Sequence, residues 1–287
     1  MLLQKTLLNM KSFSLSSYCY ISIYDNYILP LIRQMIYLEE LSLFINVENR
    51  STFIDGIHLK NEIFIHLPNL QIFKFNIITH CKFMNNEMYM QSNDDIYRTF
   101  FNWPYGQVDC YISHYPNNAA KSHIFSLPCS MTYIYFISYG FQEGLYRHVR
   151  HLSLSDRIYP FKHDFFLRIA HAFPLITDLT VLNNRILDDV DESNDKKTSI
   201  VEFHHLISLT IHFQRANYVE QFLVDTNTYL PNLIDLTISY DNLVSVTKNF
   251  TRHATRRNCS KVENLTFTIS TITVHSKDFY SHFPCLK

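Results

Sequence analysis

The sequence predicts an α/β fold: a curved solenoid with a parallel sheet on the concave side, helices outside and a β-rich insertion. Three observations carry that expectation. One short apolar pattern recurs along most of the chain. The segments between its copies have helical spacing. Glycine is scarce, with 4 in 287 residues, which argues against both a turn-dense β-sandwich and a phosphate-cradling loop.

The pattern is an apolar residue, two variable ones, an apolar residue, one variable and an apolar residue. It reads Leu38-Glu-Glu-Leu41-Ser-Leu43 and Leu70-Gln-Ile-Phe73-Lys-Phe75. It returns as Val149-Arg-His-Leu152-Ser-Leu154, Ile176-Thr-Asp-Leu179-Thr-Val181 and Leu206-Ile-Ser-Leu209-Thr-Ile211. Leu233-Ile-Asp-Leu236-Thr-Ile238 and Val262-Glu-Asn-Leu265-Thr-Phe267 follow, and a weaker copy, Met10-Lys-Ser-Phe13-Ser-Leu15, stands first. The middle apolar residues fall at 13, 41, 73, 152, 179, 209, 236 and 265, in steps of 28, 32, 79, 27, 30, 27 and 29. Six of these seven steps match the period of leucine-rich repeats with a helix on the back. Proline precedes several copies, as in Leu67-Pro-Asn-Leu70 and Leu230-Pro-Asn-Leu233, where a helix has ended and a strand has not begun.

Helical spacing appears between the copies. Phe165, Phe166, Ile169, Ala170 and Phe173 share one face of a helix. Val219, Phe222, Leu223 and Thr226 form a second such face, and Leu243, Val246, Phe250 and Ala254 a third. Short strands alternating with such helices imply parallel pairing and right-handed crossovers. The competing reading is a doubly wound α/β domain with coincidental spacing.

The step of 79 marks the insertion. Val108 to His114, Ser122 to Leu127 and Met131 to Ile137 alternate like strands and suggest an antiparallel hairpin or meander. It either replaces degenerate repeats or projects from the solenoid. The chain therefore divides into repeats at 1–76, a β-rich segment at 77–145 and repeats at 146–287. The run Asp188 to Thr198 reads as a solvated loop. Both ends fall inside a repeat, which suggests part of a longer protein, or a shortened copy of one, that should associate through its open ends.

Composition bounds the function. Apolar residues make up 47% and charged ones 18%, enough for a large core and against disorder. The net charge of −1 gives no reason to expect nucleic acid or a membrane surface as partner. Six scattered cysteines without a CxxC read as thiols in a reducing compartment. The opening MLLQKTLLNMK has too short an apolar run for a signal peptide, and no stretch reaches the length of a membrane helix, so the expected setting is intracellular, cytoplasmic or nuclear. Four glycosylation acceptors (Asn49, Asn249, Asn258 and Asn264) fit the frequency of Asn, Ser and Thr in the chain.

No catalytic motif is found: no HExxH, GxSxG, P-loop, GxGxxG or kinase set. His163 and His171 stand about two turns apart on one expected helix, too far to share a metal ion. Arg252, Arg256 and Arg257 gather near a helix end, which the helix dipole explains. No cofactor or metal is expected, and the chain reads as a non-enzymatic protein-binding module. Its candidate contact face consists of outward residues of the strands: Glu40, Lys74, Asn76, His151, Asp178, His212 and Asp235, beside a row of small hydroxyls. Such hydroxyl ladders also suit parallel strands for structural reasons.

The LPxLxxLxL units at 67–75 and 230–238 and their variants resemble the leucine-rich-repeat region of F-box proteins. The resemblance covers most of the chain, although no F-box is found. It implies the substrate-recognition part of a ubiquitin ligase, with a Skp1-type adaptor as partner only where a longer form carries an F-box. The alternative is an extracellular or receptor-type leucine-rich-repeat protein, which glycans on the four asparagines would favour.

Overall fold

The structure, a computed structural model, describes residues 9–82, 91–115, 119–127, 132–137, 141, 146–156, 160–183, 199–212, 216–268 and 277–287. They form two compact units, Met1–Cys129 and Ser130–Lys287. This corrects the expected architecture. The chain does not build one leucine-rich-repeat solenoid on a continuous curved parallel sheet. It forms a mixed α/β fold with two separate main sheets, one mixed and one parallel.

In the first unit, β1 (Ser12–Ile21), β2 (Glu40–Arg50) and β3 (Ile72–Lys82) run parallel. The β1–β2 crossover is a π-helical turn at Tyr24–Ile28 running into α1 (Leu29–Arg33). The β2–β3 crossover is α2 (Gly56–Glu62) followed by a 3-10 turn at Phe64–His66. The repeat positions stand side by side: Phe13 with Leu41 and Phe73, and Leu15 with Leu43 and Phe75. Leu41, Leu43, Phe73 and Phe75 are buried. Phe73 and Phe75 join Phe64, Phe100, Trp103 and Tyr105 in one aromatic cluster, with Phe64 and Tyr105 centroids 4.7 Å apart.

The parallel progression stops at β3. After α3 (Asn93–Arg98), begun by a reciprocal Ser92–Asp95 capping box, the hairpin β4 (Gln107–Tyr115) and β5 (Ala119–Leu127) returns. It lays β5 antiparallel against β3, giving the order β1-β2-β3-β5-β4. Here lies the physical reason for the correction. A hairpin strand occupies the edge on which the next parallel strand would have paired, so the sheet closes as a mixed one. The first two runs of the interruption do form the expected hairpin. The third does not join it, because residues 133–137 belong to the other unit.

In the second unit β6 (Tyr133–Ile137), β7 (His151–Asp156), β8 (Asp178–Asn183), β10 (Ser208–His212), β12 (Asp235–Ile238) and β13 (Asn264–Phe267) form an all-parallel sheet. A two-stranded sheet, β9 (Val201–Glu202) with β11 (Thr228–Tyr229), lies apart from it. The helices are α4 (His163–Ala172), α5 (Ala216–Leu223), α6 (Tyr240–Thr247), α7 (His253–Cys259) and α8 (Lys277–His282). Strands of the large sheet follow one another in chain order, so every crossover advances in the same direction. Right-handed crossovers in one direction place their connections on one face and leave the other without helices. The covered face is apolar: Leu152, Leu179, Leu209 and Leu236 are in register and at most 2% exposed.

The helix expected through Leu243, Val246, Phe250 and Ala254 is broken in two. Lys248, Asn249 and Phe250 all have positive φ (51°, 53° and 65°), a turn that costs L-residues about 1–2 kcal/mol each. Thr247 holds it: its Oγ1 accepts from Phe250 N at 3.1 Å, and its carbonyl takes Thr251 N and Arg252 N at 3.0 and 2.8 Å. The turn keeps Phe250 buried against Phe279 (centroids 5.0 Å). No glycine marks the break, so spacing alone ran the helix through it. The expected loop Asp188 to Thr198 lies outside the described residues.

Buried histidines make the fold acid-sensitive. Tyr24 Oη lies 3.5 Å from His58 Nε2, and Arg50 Nη2 lies 3.4 Å from its Nδ1. Burial first, then Arg50, lowers the His58 pKa from 6.5 to about 4. His282 is likewise lowered to about 4, chiefly by burial, and burial holds His123 well below its usual value. The folded state keeps these rings neutral while the unfolded chain binds protons below 6.5, so stability is full above that pH and drains away as pH falls toward 4. Denaturant midpoints at pH 7.5 and pH 5 check this. The midpoint should drop at pH 5, and His58→Gln should shrink the drop; equal midpoints would refute it.

Candidate functional site

The open face of the parallel sheet presents its polar residues as rows, because side chains alternate between faces and parallel strands in register align like with like. One row runs Tyr133, His151, Asp178, Ser208, Asp235 and Asn264 across all six strands. It occupies the position just before the buried leucine row, and every member is at least part-exposed. The second row is Ser153, Thr180, Thr210, Thr237 and Thr266, and the third holds Ser155, Leu182 and His212. Ser153 and Ser155, on β7, are buried (5% and 4% exposed), so these two rows are covered there.

Neighbours in the first row interlock. The Tyr133 and His151 rings stack with centroids 4.0 Å apart and planes 7° from parallel. His151 Nδ1 lies 3.1 Å from Asp178 Oδ2, with the two side chains 35% and 42% exposed. Thr177 Oγ1 donates to the same oxygen at 2.6 Å. Farther along, Asn264 Nδ2 donates to Asp235 Oδ1 at 2.6 Å. Two carboxylates two strands apart, about 10 Å, thus stand on a pre-ordered strip with an aromatic pair at one end.

The seven candidate residues separate by unit. His151, Asp178 and Asp235 share the first row, and His212 lies in the third. Glu40 and Lys74 are exposed on the first unit's sheet, in rows with Ser12 and Ser42 respectively. Asn76 belongs to the interior: it is 9% exposed, and its Oδ1 lies 2.6 Å from His123 Nε2, whose Nδ1 lies 2.7 Å from Tyr111 Oη. β5 brings His123 beside β3, so the residue that strand alternation turns outward is enclosed. Sequence reasoning missed Tyr133, Ser208 and Asn264. The signal was available for the last two, which precede Leu209 and Leu265 as Asp178 precedes Leu179.

Among the described residues no group of three His, Cys, Asp or Glu could hold a metal ion. Burial pushes the Cys81 and Cys110 thiols up to about 12, and raises Cys259 further, which keeps them protonated and poor nucleophiles. Arg252 pairs with Glu220 at 2.9 Å, and Arg257 sits 4.5 Å over the Tyr229 ring. Of the four glycosylation acceptors, Asn258 is 1% exposed, so a glycan there is incompatible with this fold. No helix among the described residues is long and apolar enough to cross a membrane. Compared with protein-family models, with curated proteins and with solved structures, the chain finds no match in any of the three.

Proposed function

We propose that the chain is a non-enzymatic protein-binding module whose contact surface is the open face of the second unit's sheet. The observation that carries this is the row from Tyr133 to Asn264: six side chains in register across the sheet, each at least part-exposed. A sheet held rigid by its buried leucine row loses little freedom when a partner docks, which favours recognition. Tyr133 with His151 supplies the aromatic element that binding hot spots prefer, and Asp178 and Asp235 add charge that would select for basic or amide-rich surfaces.

The finer reading makes the bound protein a ubiquitylation substrate. It rests on the LPxLxxLxL units at 67–75 and 230–238 alone. A Skp1-type adaptor enters that reading only through an F-box in a longer form.

Affinity capture with the full chain tests the module. Proteins recovered by the natural sequence should be lost when Asp178→Arg and Asp235→Arg are combined, while variants on the first unit's sheet, such as Lys74→Ala, retain them. A capture profile indifferent to the Asp178 and Asp235 changes would reject this surface. Ubiquitylation of a captured protein, dependent on the same two aspartates, would support the finer reading.

A further inference from the structure

Each main sheet ends at a strand whose outer edge pairs with no strand among the described residues: β1 in the first and β13 in the second. The apolar positions there are incompletely covered. Phe13 and Leu15 of β1, and Leu265 and Phe267 of β13, are only part-buried. Their counterparts one strand inward, Leu41, Leu43, Leu236 and Ile238, are at most 1% exposed.

The two edges are complementary in hydrogen-bond phase. In a strand the N–H and C=O of one residue point to the same side, and successive residues alternate. Lys11 O accepts from Glu40 N, the first residue of β2, and from Glu39 N just before it. The odd-numbered residues at this end of β1 therefore face inward, and Ser12, Ser14 and Ser16 turn outward. At β13, Glu263 N and Asn264 N both donate to Ile234 O, and Thr268 N, just after the strand, donates to Ile238 O. The Glu263 carbonyl and the backbone groups of Leu265 and Phe267 therefore turn outward. Setting Ser12 N against Glu263 O repeats the linkage already made between neighbouring strands. It also places Phe13 beside Leu265, Ser14 beside Thr266 and Leu15 beside Phe267.

Charge agrees with that register. Across β1 and β2, Lys11 Nζ reaches Glu39 Oε1 at 2.7 Å. The equivalent place beside β13 is Glu263, which already receives a lysine: Lys287 pairs with its carboxylate and donates its N–H to Glu263 O at 3.1 Å. Lys11 of an incoming strand presents the same charge to the same acid, in exchange for Lys287.

We propose that β1 of one copy pairs in parallel with β13 of a second copy, so that this chain is its own partner through one edge of each main sheet. The contact is heterologous: each pairing leaves a free β13 on one molecule and a free β1 on the other. Association therefore proceeds to rings or chains instead of stopping at a symmetric dimer.

Sedimentation of the full chain over about two decades of concentration tests this, because mass action makes the average mass rise if copies associate. Ser14→Pro removes one outward N–H and no inward one, a change an edge strand tolerates. It should weaken association about tenfold or more with an unchanged circular-dichroism spectrum. Lys11→Glu and Glu263→Lys, both at exposed side chains, should each weaken association, and the double variant should regain it. A constant monomer mass for the natural sequence overturns the proposal. So does a folded Ser14→Pro that associates normally, or, should that variant fail to fold, charge variants that associate unchanged.

Discussion

Asn258→Ala should lower the unfolding free energy by about 3–5 kcal/mol, the largest single-residue effect expected in the second unit. The side chain is enclosed at the C-terminal end of α7 and serves four backbone groups. Its Oδ1 accepts from Leu230 N at 3.0 Å; its Nδ2 faces the carbonyls of Phe222, Leu223 and Thr228 at 3.0, 3.3 and 2.7 Å. Truncation strips these groups of their partner where water does not reach, and an unmet buried group costs about 1–3 kcal/mol. The same residue ties the C-terminal end of α5 to the turn after β11, so its loss loosens two elements at once. Denaturant unfolding measures the effect, with Asn217→Ala on exposed helix surface as the control, expected to stay within about 0.5 kcal/mol. A loss for Asn258→Ala as small as the control's would mean that the network re-forms without it.

In the first unit the corresponding change is Gly56→Ala. Helix propensity favours alanine by about 1 kcal/mol, yet the expected outcome is destabilisation by about 2–4 kcal/mol from overpacking. A Cβ at position 56 would stand 2.4 Å from Thr99 O, 2.7 Å from its carbonyl carbon and 3.0 Å from Phe100 N. All three are backbone atoms, so no rotamer change relieves the clash. The close approach is held by Gly56 N donating to Thr99 Oγ1 at 2.9 Å. Separating the two segments would break that bond and expose Ile54, Leu59 and Ile96, all fully buried. Thermal unfolding of the two proteins compares the effects directly, and a melting temperature at or above that of the natural sequence would show that the segments part freely.

These two positions show what the sequence can and cannot convey. The apolar markers were legible because a parallel register repeats them: Leu152, Leu179, Leu209 and Leu236 had to stand together to be buried. Also legible were α4, whose apolar residues share one face, and the hairpin of β4 and β5. The continuous solenoid failed because it required an unoccupied edge on β3, and which strand takes an edge is decided by pairing between segments far apart in sequence. β6 was assigned to the wrong structure because Ile134 lies 18 residues before Leu152, a spacing below the 27–32 of the other steps. Asn258 looked like a glycosylation acceptor since Asn-Cys-Ser is a local pattern, while its enclosure is not. Gly56 was one of a scarce residue type, and scarcity excluded some architectures without showing where a backbone would pass.

The candidate surface was legible in the same uneven way. His151, Asp178 and Asp235 share one row because alternation fixes their face and period fixes their alignment. Asn76 obeyed alternation and was enclosed all the same, since β5 carries His123 to its side.

The chain-order sequence of strands in the second unit has a kinetic corollary. Within the six-stranded sheet each strand is hydrogen-bonded only to the members of that sheet before and after it in sequence, so the loops closed in forming it are short, and ordering can spread outward from any adjacent pair. Opening should be equally graded. Amide protons of Leu209 and Leu236, flanked on both sides, should exchange with solvent only through large-scale unfolding, while those of β13, in dilute unassociated chain, escape through fraying. Exchange measured strand by strand would then read as a slope along the sheet, steepest toward Asn264–Phe267, with the middle strands the last to let go.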